Sequence, residues 1–141
     1  MIVGIGLDIV NIARWARALD KIQDGIFTTR ELAACTARVD RVDALAARFA
    51  AKEACLKALS VGIARGGLRQ VEIVSSAGGA PKLRLSGPLA ERARAARVGT
   101  AHVSLTHHEG IAAAVVILEA TKSRRRSAEP WTLETVSSGP W

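Results

Sequence analysis

From Asp43 to Val61 the chain runs without a glycine or proline, and most of its residues there are alanine, leucine, lysine, arginine or glutamate. These are strong helix formers, so one long helix is the element around which any fold of this chain has to be built. At roughly 100° per residue, Leu45, Phe49, Leu56 and Leu59 fall within an apolar arc of about 80°, the stripe such a helix buries. Glu53 and Lys57 are four residues apart and lie as neighbours at the margin of that stripe. Lys52 projects into the apolar arc itself. Taken alone, Glu53 and Lys57 are also what a surface ion pair looks like, and Lys52 could run along the helix to reach water. The broad alanine face (Ala46, Ala47, Ala50, Ala51, Ala54, Ala58) suits close approach by another element, which would turn the charged margin into a crevice. A carboxylate and a lysine in a crevice suggest work on metal and phosphate.

The chain has 141 residues, 49% of them hydrophobic, enough for one domain with a modest core. No apolar run approaches the roughly 20 residues that span a bilayer, and the N-terminal MIVGIGLDIV lacks a basic n-region and a cleavage site, so a cytoplasmic protein is expected. Cys35 and Cys55 have no metal-type spacing and read as small buried hydrophobes. The net charge is +7, and residues 1–119 hold 16 basic against 11 acidic residues. A basic body attracts something acidic: nucleic acid, anionic lipid, a phosphate-rich small molecule or an acidic protein. With 4% aromatics and no tyrosine, platforms for stacking single-stranded bases are poorly supplied.

Met1 to Asp8 alternates β-branched residues with glycines and reads as a buried strand whose glycines admit another backbone, with Asp8 at its end. Asp8 or Asn11 could cap a following helix over 12–22, on which Arg14, Arg17 and Lys21 share one face. That ridge is either a solvated face or a grip for acidic partners. A second helix is expected over 27–37, capped by Thr28 or Thr29 with Glu31 in its first turn. Residues 38–42 are a charged connector. After the long helix, Gly62, Gly66 and Gly67 end it and open a loop that is either a plain connector or an approach for phosphate. Strands over 70–76 and 82–86 flank the turn signal AGGAP as a hairpin. Pro88 opens a helix over 88–97 that Gly99 ends. Strands over 101–106 and 111–118 follow, the second almost wholly apolar and so central. Between them, His107 and His108 are either turn residues or a site edge. From residue 120 the composition shifts to Ser, Arg, Thr and Pro without a periodic apolar face, a flexible basic tail.

The segments GIGLDIV, RFAAKEACLKAL, the glycine loop after it, GGAPKLRLSG and HVSLTH, in that order, resemble the short, holo-(acyl-carrier-protein) synthase class of 4'-phosphopantetheinyl transferases. The resemblance covers residues 1–119, and residues 120–141 have no counterpart. It implies an α+β fold, a long central helix wrapped by an antiparallel sheet, assembled as a homotrimer with active sites at subunit boundaries. It implies transfer of the 4'-phosphopantetheine arm of coenzyme A to a serine of an acidic acyl carrier protein or carrier domain, with release of adenosine 3',5'-bisphosphate, in fatty acid biosynthesis. By position Asp8 and Glu53 match the magnesium carboxylates, Arg48, Lys57, Gly62 and His107 the coenzyme A contacts, and Arg14, Arg17 and Lys21 the carrier-docking region. Glu53 and Lys57 are the expected catalytic pair. Ser60 and Ala64 stand where the family often has glycine, and His108 replaces a small hydroxyl residue. Lys52, unexplained by the motif, is expected to meet a neighbouring subunit or the nucleotide. The rival reading, a noncatalytic basic module on nucleic acid, leaves Asp8 and Glu53 without a use. No nucleic-acid or membrane partner is expected.

Overall fold

The computed structural model describes residues 1–62, 67–75 and 79–121. Strand β1 (Ile2–Asn11) leads into helices α1 (Ile12–Ala16), α2 (Leu19–Ile26), α3 (Thr29–Thr36) and the long α4 (Arg41–Ala58). A short 3-10 turn (Leu68–Gln70), strands β2 (Val71–Val74) and β3 (Lys82–Leu85), helix α5 (Gly87–Ala95), and strands β4 (Val98–His108) and β5 (Ile111–Ala120) complete the order. One antiparallel sheet runs β1-β5-β4, with the apolar β5 in the middle as its composition requires, and β2 pairs with β3. The fold is α+β. Helix α4 lies across the three-stranded sheet, with Leu45, Ala47, Ala50, Ala51 and Ala54 fully buried.

The glycines of β1 explain how closely helix and strand meet. A Cβ built on Gly4 would stand 2.1 Å from the Ala58 carbonyl oxygen, and one on Gly6 would stand 1.8 Å from that of Ala54. Both obstacles are backbone, so strand and helix would have to separate. Gly6→Ala is therefore expected to cost about 3 kcal/mol or more, a fall in Tm of at least roughly 6 °C. A variant melting within about 2 °C of wild type would mean that α4 and β1 do not pack this way.

Several boundaries differ from expectation. Strand β1 continues to Asn11, so Asp8 lies within the strand, opposite Ala114, and not at its end. Asn11 is the cap: its side chain accepts from the Arg14 amide at 2.9 Å. The helix expected over 12–22 is broken between α1 and α2, so Arg14, Arg17 and Lys21 do not share one helical face. No residue in the sequence marks that break. Helix α3 has the expected capping box, with Thr28 and Glu31 each bonded to the other's backbone amide. Helix α4 ends before any glycine. Ser60 takes φ +55°, and the bonds Val61 N to Leu56 O and Ser60 N to Lys57 O close the last turn, the pattern in which glycine usually holds the left-handed position. His107 and His108 belong to β4, and the turn is Glu109-Gly110, both at positive φ, as a two-residue hairpin requires.

Candidate active site

Because side chains alternate along a strand, the register that puts Gly4 and Gly6 against α4 also turns Asp8 toward the helix. There it meets Lys57, whose Nζ donates to Asp8 Oδ1 and to the Leu7 carbonyl, both at 2.8 Å. Lys57 is half-exposed, while Asp8 is largely covered. One turn back on the same face, Glu53 is only 4% exposed. Its Oε1 is buried and has no hydrogen-bond partner among the described residues. Burial pushes the Glu53 carboxyl above its ordinary value, and the neighbouring Asp8 carboxylate pushes it further up, against the opposing pull of Lys57.

Two carboxylates and an ammonium in one crevice, with a buried oxygen left unsatisfied, form an incomplete site. A hard divalent cation suits it: such an ion binds through one or two carboxylates and fills its octahedron with phosphate and water. Among the described residues no group of three or more His, Cys, Asp or Glu could hold a metal, so Asp8 and Glu53 would be its protein ligands, with Lys57 free to turn to an anion.

The other expected residues do not join this crevice within one chain. Arg48 lies nine positions before Lys57 on α4, about 13 Å along the axis. It is buried, and it donates to the Ala44 carbonyl at 3.1 Å and Ser75 Oγ at 3.3 Å, while its Nε has no partner among the described residues. His107 sits on β4, separated from β1 by β5 and so by about 10 Å. Its ring nitrogens face Asp40 at 3.4 Å and Asp43 at 3.8 Å. Nothing local in the sequence singles out either carboxylate: Asp40 lies in the charged connector and Asp43 in the first turn of α4. Hydrogen bonding from Arg38 holds Asp40 below its ordinary pKa, with His107 adding a smaller pull. Gly62 is exposed just beyond α4, and a Cβ there would meet nothing within 4 Å. The rest of the glycine loop, residues 63–66 with Ala64, lies outside the described residues. Arg14, Arg17 and Lys21 are all exposed.

One expectation changes and another holds. Lys52 reaches neither water nor a surface that a nucleotide or a neighbouring subunit could touch: it is wholly buried. Its Nζ donates to Glu31 Oε2 at 2.8 Å, to the Leu68 carbonyl at 3.1 Å and to the Val71 carbonyl, and lies 5.5 Å from the centre of the Phe27 ring. The cysteines read correctly as inert: burial pushes the Cys55 thiol up to about 12 and raises that of Cys35.

Comparison with known proteins shows the family. The family model of the 4'-phosphopantetheinyl transferase superfamily matches residues 4–116. The holo-[acyl-carrier-protein] synthase of Anaeromyxobacter sp. (strain K) is 44% identical over 129 residues, covering 86% of this chain and 98% of that one. Among solved structures, the synthase from Neisseria meningitidis superposes with a TM-score of 0.76 at 34% identity, over 84% of this chain and 99% of that one. The Bacillus anthracis synthase, solved in complex with CoA (3',5'-ADP), does so with a TM-score of 0.72 at 32% identity, over 86% and 99%. The matched span holds Asp8, Glu53, Lys57 and His107 on the elements described above, and the chain belongs to the 4'-phosphopantetheinyl transferase superfamily.

Proposed function

We propose that this protein transfers the 4'-phosphopantetheine arm of coenzyme A to a serine of an apo acyl carrier protein or carrier domain, with magnesium, releasing adenosine 3',5'-bisphosphate. The observation that carries this reading is the unsatisfied buried oxygen of Glu53 beside Asp8 and Lys57. Magnesium, held by Asp8 and Glu53, would offset the charge on the pyrophosphate oxygens. Lys57 is half-exposed and keeps an ammonium at the same crevice, where it can neutralise phosphate oxygens as the bond to the leaving group breaks. Glu53, or a water it holds, would take the proton that the attacking serine hydroxyl gives up. Incubation with apo carrier protein, coenzyme A and magnesium should add one phosphopantetheine to the carrier by mass spectrometry, and a chelator should prevent it. An unmodified carrier under these conditions would refute the reading and favour a basic binding module.

Assembly as a homotrimer is part of the proposal. Ile5, Leu7 and Ile9 stand 57–64% exposed along the outer face of β1, and Ile111 of β5 is 41% exposed beside them. An apolar sheet face of this kind calls for a cover, and a second copy provides one. Arg48 and His107, which lie away from Asp8 within one chain, would then serve a site completed between subunits. A cytoplasmic location accords with the described residues, where no helix is long and apolar enough to cross a membrane. Residues 1–119 would form the catalytic unit and 120–141 an appended basic tail.

The carrier would dock on Arg14, Arg17 and Lys21. All three are exposed, and carrier proteins of this family are acidic. Reversing charge at Arg14 and Arg17 together is expected to raise the KM for carrier about tenfold at low salt, with the effect shrinking as salt rises. The KM for coenzyme A should hold. An equal rise for both substrates would argue against docking here.

A further inference from the structure

Away from the crevice, the last turn of α4, the end of α5 and the edges of β1, β4 and β5 border a half-open cavity of about 340 Å³. Val3, Leu59, Ala95, Val98 and Leu118 give it an apolar side, polar atoms line it to a similar extent, Ser60 among the residues that carry them, and its one charged wall residue is Arg92. At roughly 30 Å³ per water-sized group, it has room for about ten heavy atoms. Two helix C-termini border it, and their free carbonyls would ordinarily repel an anion. At α4 three of those carbonyls are already taken: Leu56 O by the Val61 amide, Lys57 O by the Ser60 amide, and Leu59 O by Arg92 Nε at 2.7 Å. The bond to Leu59 also fixes the guanidinium in the wall, and among the described residues no carboxylate pairs with it. Arg94 and Arg97 follow Arg92 in the chain and are exposed, as is Glu91.

The geometry points to a binding site for a small amphiphilic anion, a medium-chain carboxylate whose tail lies among the apolar walls and whose head meets Arg92. The ligand would touch the turn directly after Lys57, but the proposal does not rest on the transferase reading. Its probe is sodium octanoate, titrated into the whole protein and followed by amide NMR. Saturable shifts are expected at Ser60, Ala95, Ala96 and Val98, with a Kd at or below about 1 mM, the range a ligand of about ten heavy atoms can reach. Arg92→Gln should weaken octanoate about tenfold and leave 1-octanol unchanged. Ala95→Phe, which fills the cavity, should abolish both. Thermal melts of each variant separate loss of the site from loss of the fold. Shifts that stay linear to 10 mM, or octanoate binding of undiminished strength in folded Ala95→Phe, would overturn the proposal.

Discussion

Glu53→Gln is expected to lower turnover by at least about a hundredfold at saturating magnesium, and to raise the stability of the metal-free protein. The two effects have one cause. In the absence of metal, the folded chain holds a nearly buried carboxylate with an unpartnered oxygen and a second carboxylate beside it. Glutamine keeps the shape and removes the charge, so about 1 kcal/mol, or a few degrees of Tm, should be gained at neutral pH. The same substitution removes both a metal ligand and the proton acceptor, each worth at least two orders of magnitude in rate.

The pH dependence follows in sign. Glu53 binds its proton more tightly folded than unfolded, so between its ordinary and its raised pKa the folded chain holds the extra proton. Its contribution to stability is present below the ordinary carboxylate value and is lost as pH rises through the raised one. Metal-free wild type should therefore lose stability across that interval, and Glu53→Gln should lose less. Magnesium should raise the Tm of wild type above the interval and leave that of Glu53→Gln nearly unmoved. A variant with wild-type turnover, or one that magnesium stabilises equally, would remove Glu53 from both roles.

Legibility in the sequence tracked how local each cause is. The long helix and the hairpin could be read because propensity, periodicity and turn residues act within a few positions. The glycines of β1 announced a close backbone neighbour without saying which, and α4 is that neighbour. Asp8, Glu53 and Lys57 could be proposed as a set only through the family motif, since residues 45 positions apart share no local signal. The break at Arg17-Ala18 and the left-handed Ser60 were missed because the favoured residues, Gly or Pro, are absent at both places. Alternation alone ends the strand at Thr106 and leaves His107 between the strands, whereas β4 runs on through His108 to the turn at Glu109-Gly110.

Lys52 was the residue least legible of all, because everything it touches lies 16 to 25 positions away in the chain. Lys52→Met is accordingly expected to destabilise the fold and not to weaken coenzyme A binding. The ammonium ties α4 to Glu31 of α3 and to two carbonyls leading into and beginning β2, and Glu31 Oε1 in turn accepts from the Ile73 amide at 2.9 Å. Burial pushes the Lys52 pKa down, with Glu31 opposing, so the charge is retained by its partner and not by solvent. Methionine fills the space but leaves the Glu31 carboxylate buried and uncompensated, a loss of about 3–5 kcal/mol. A fall in Tm of roughly 10–20 °C should follow for a domain of this size. Adding Glu31→Gln should recover part of it, because a neutral amide needs no countercharge, and not all, because the Val71 carbonyl loses its ammonium donor and the Leu68 carbonyl keeps only the Val71 amide. Below its melting range the single variant should keep the wild-type KM for coenzyme A. A variant that melts near wild type and binds coenzyme A poorly would return Lys52 to the active site.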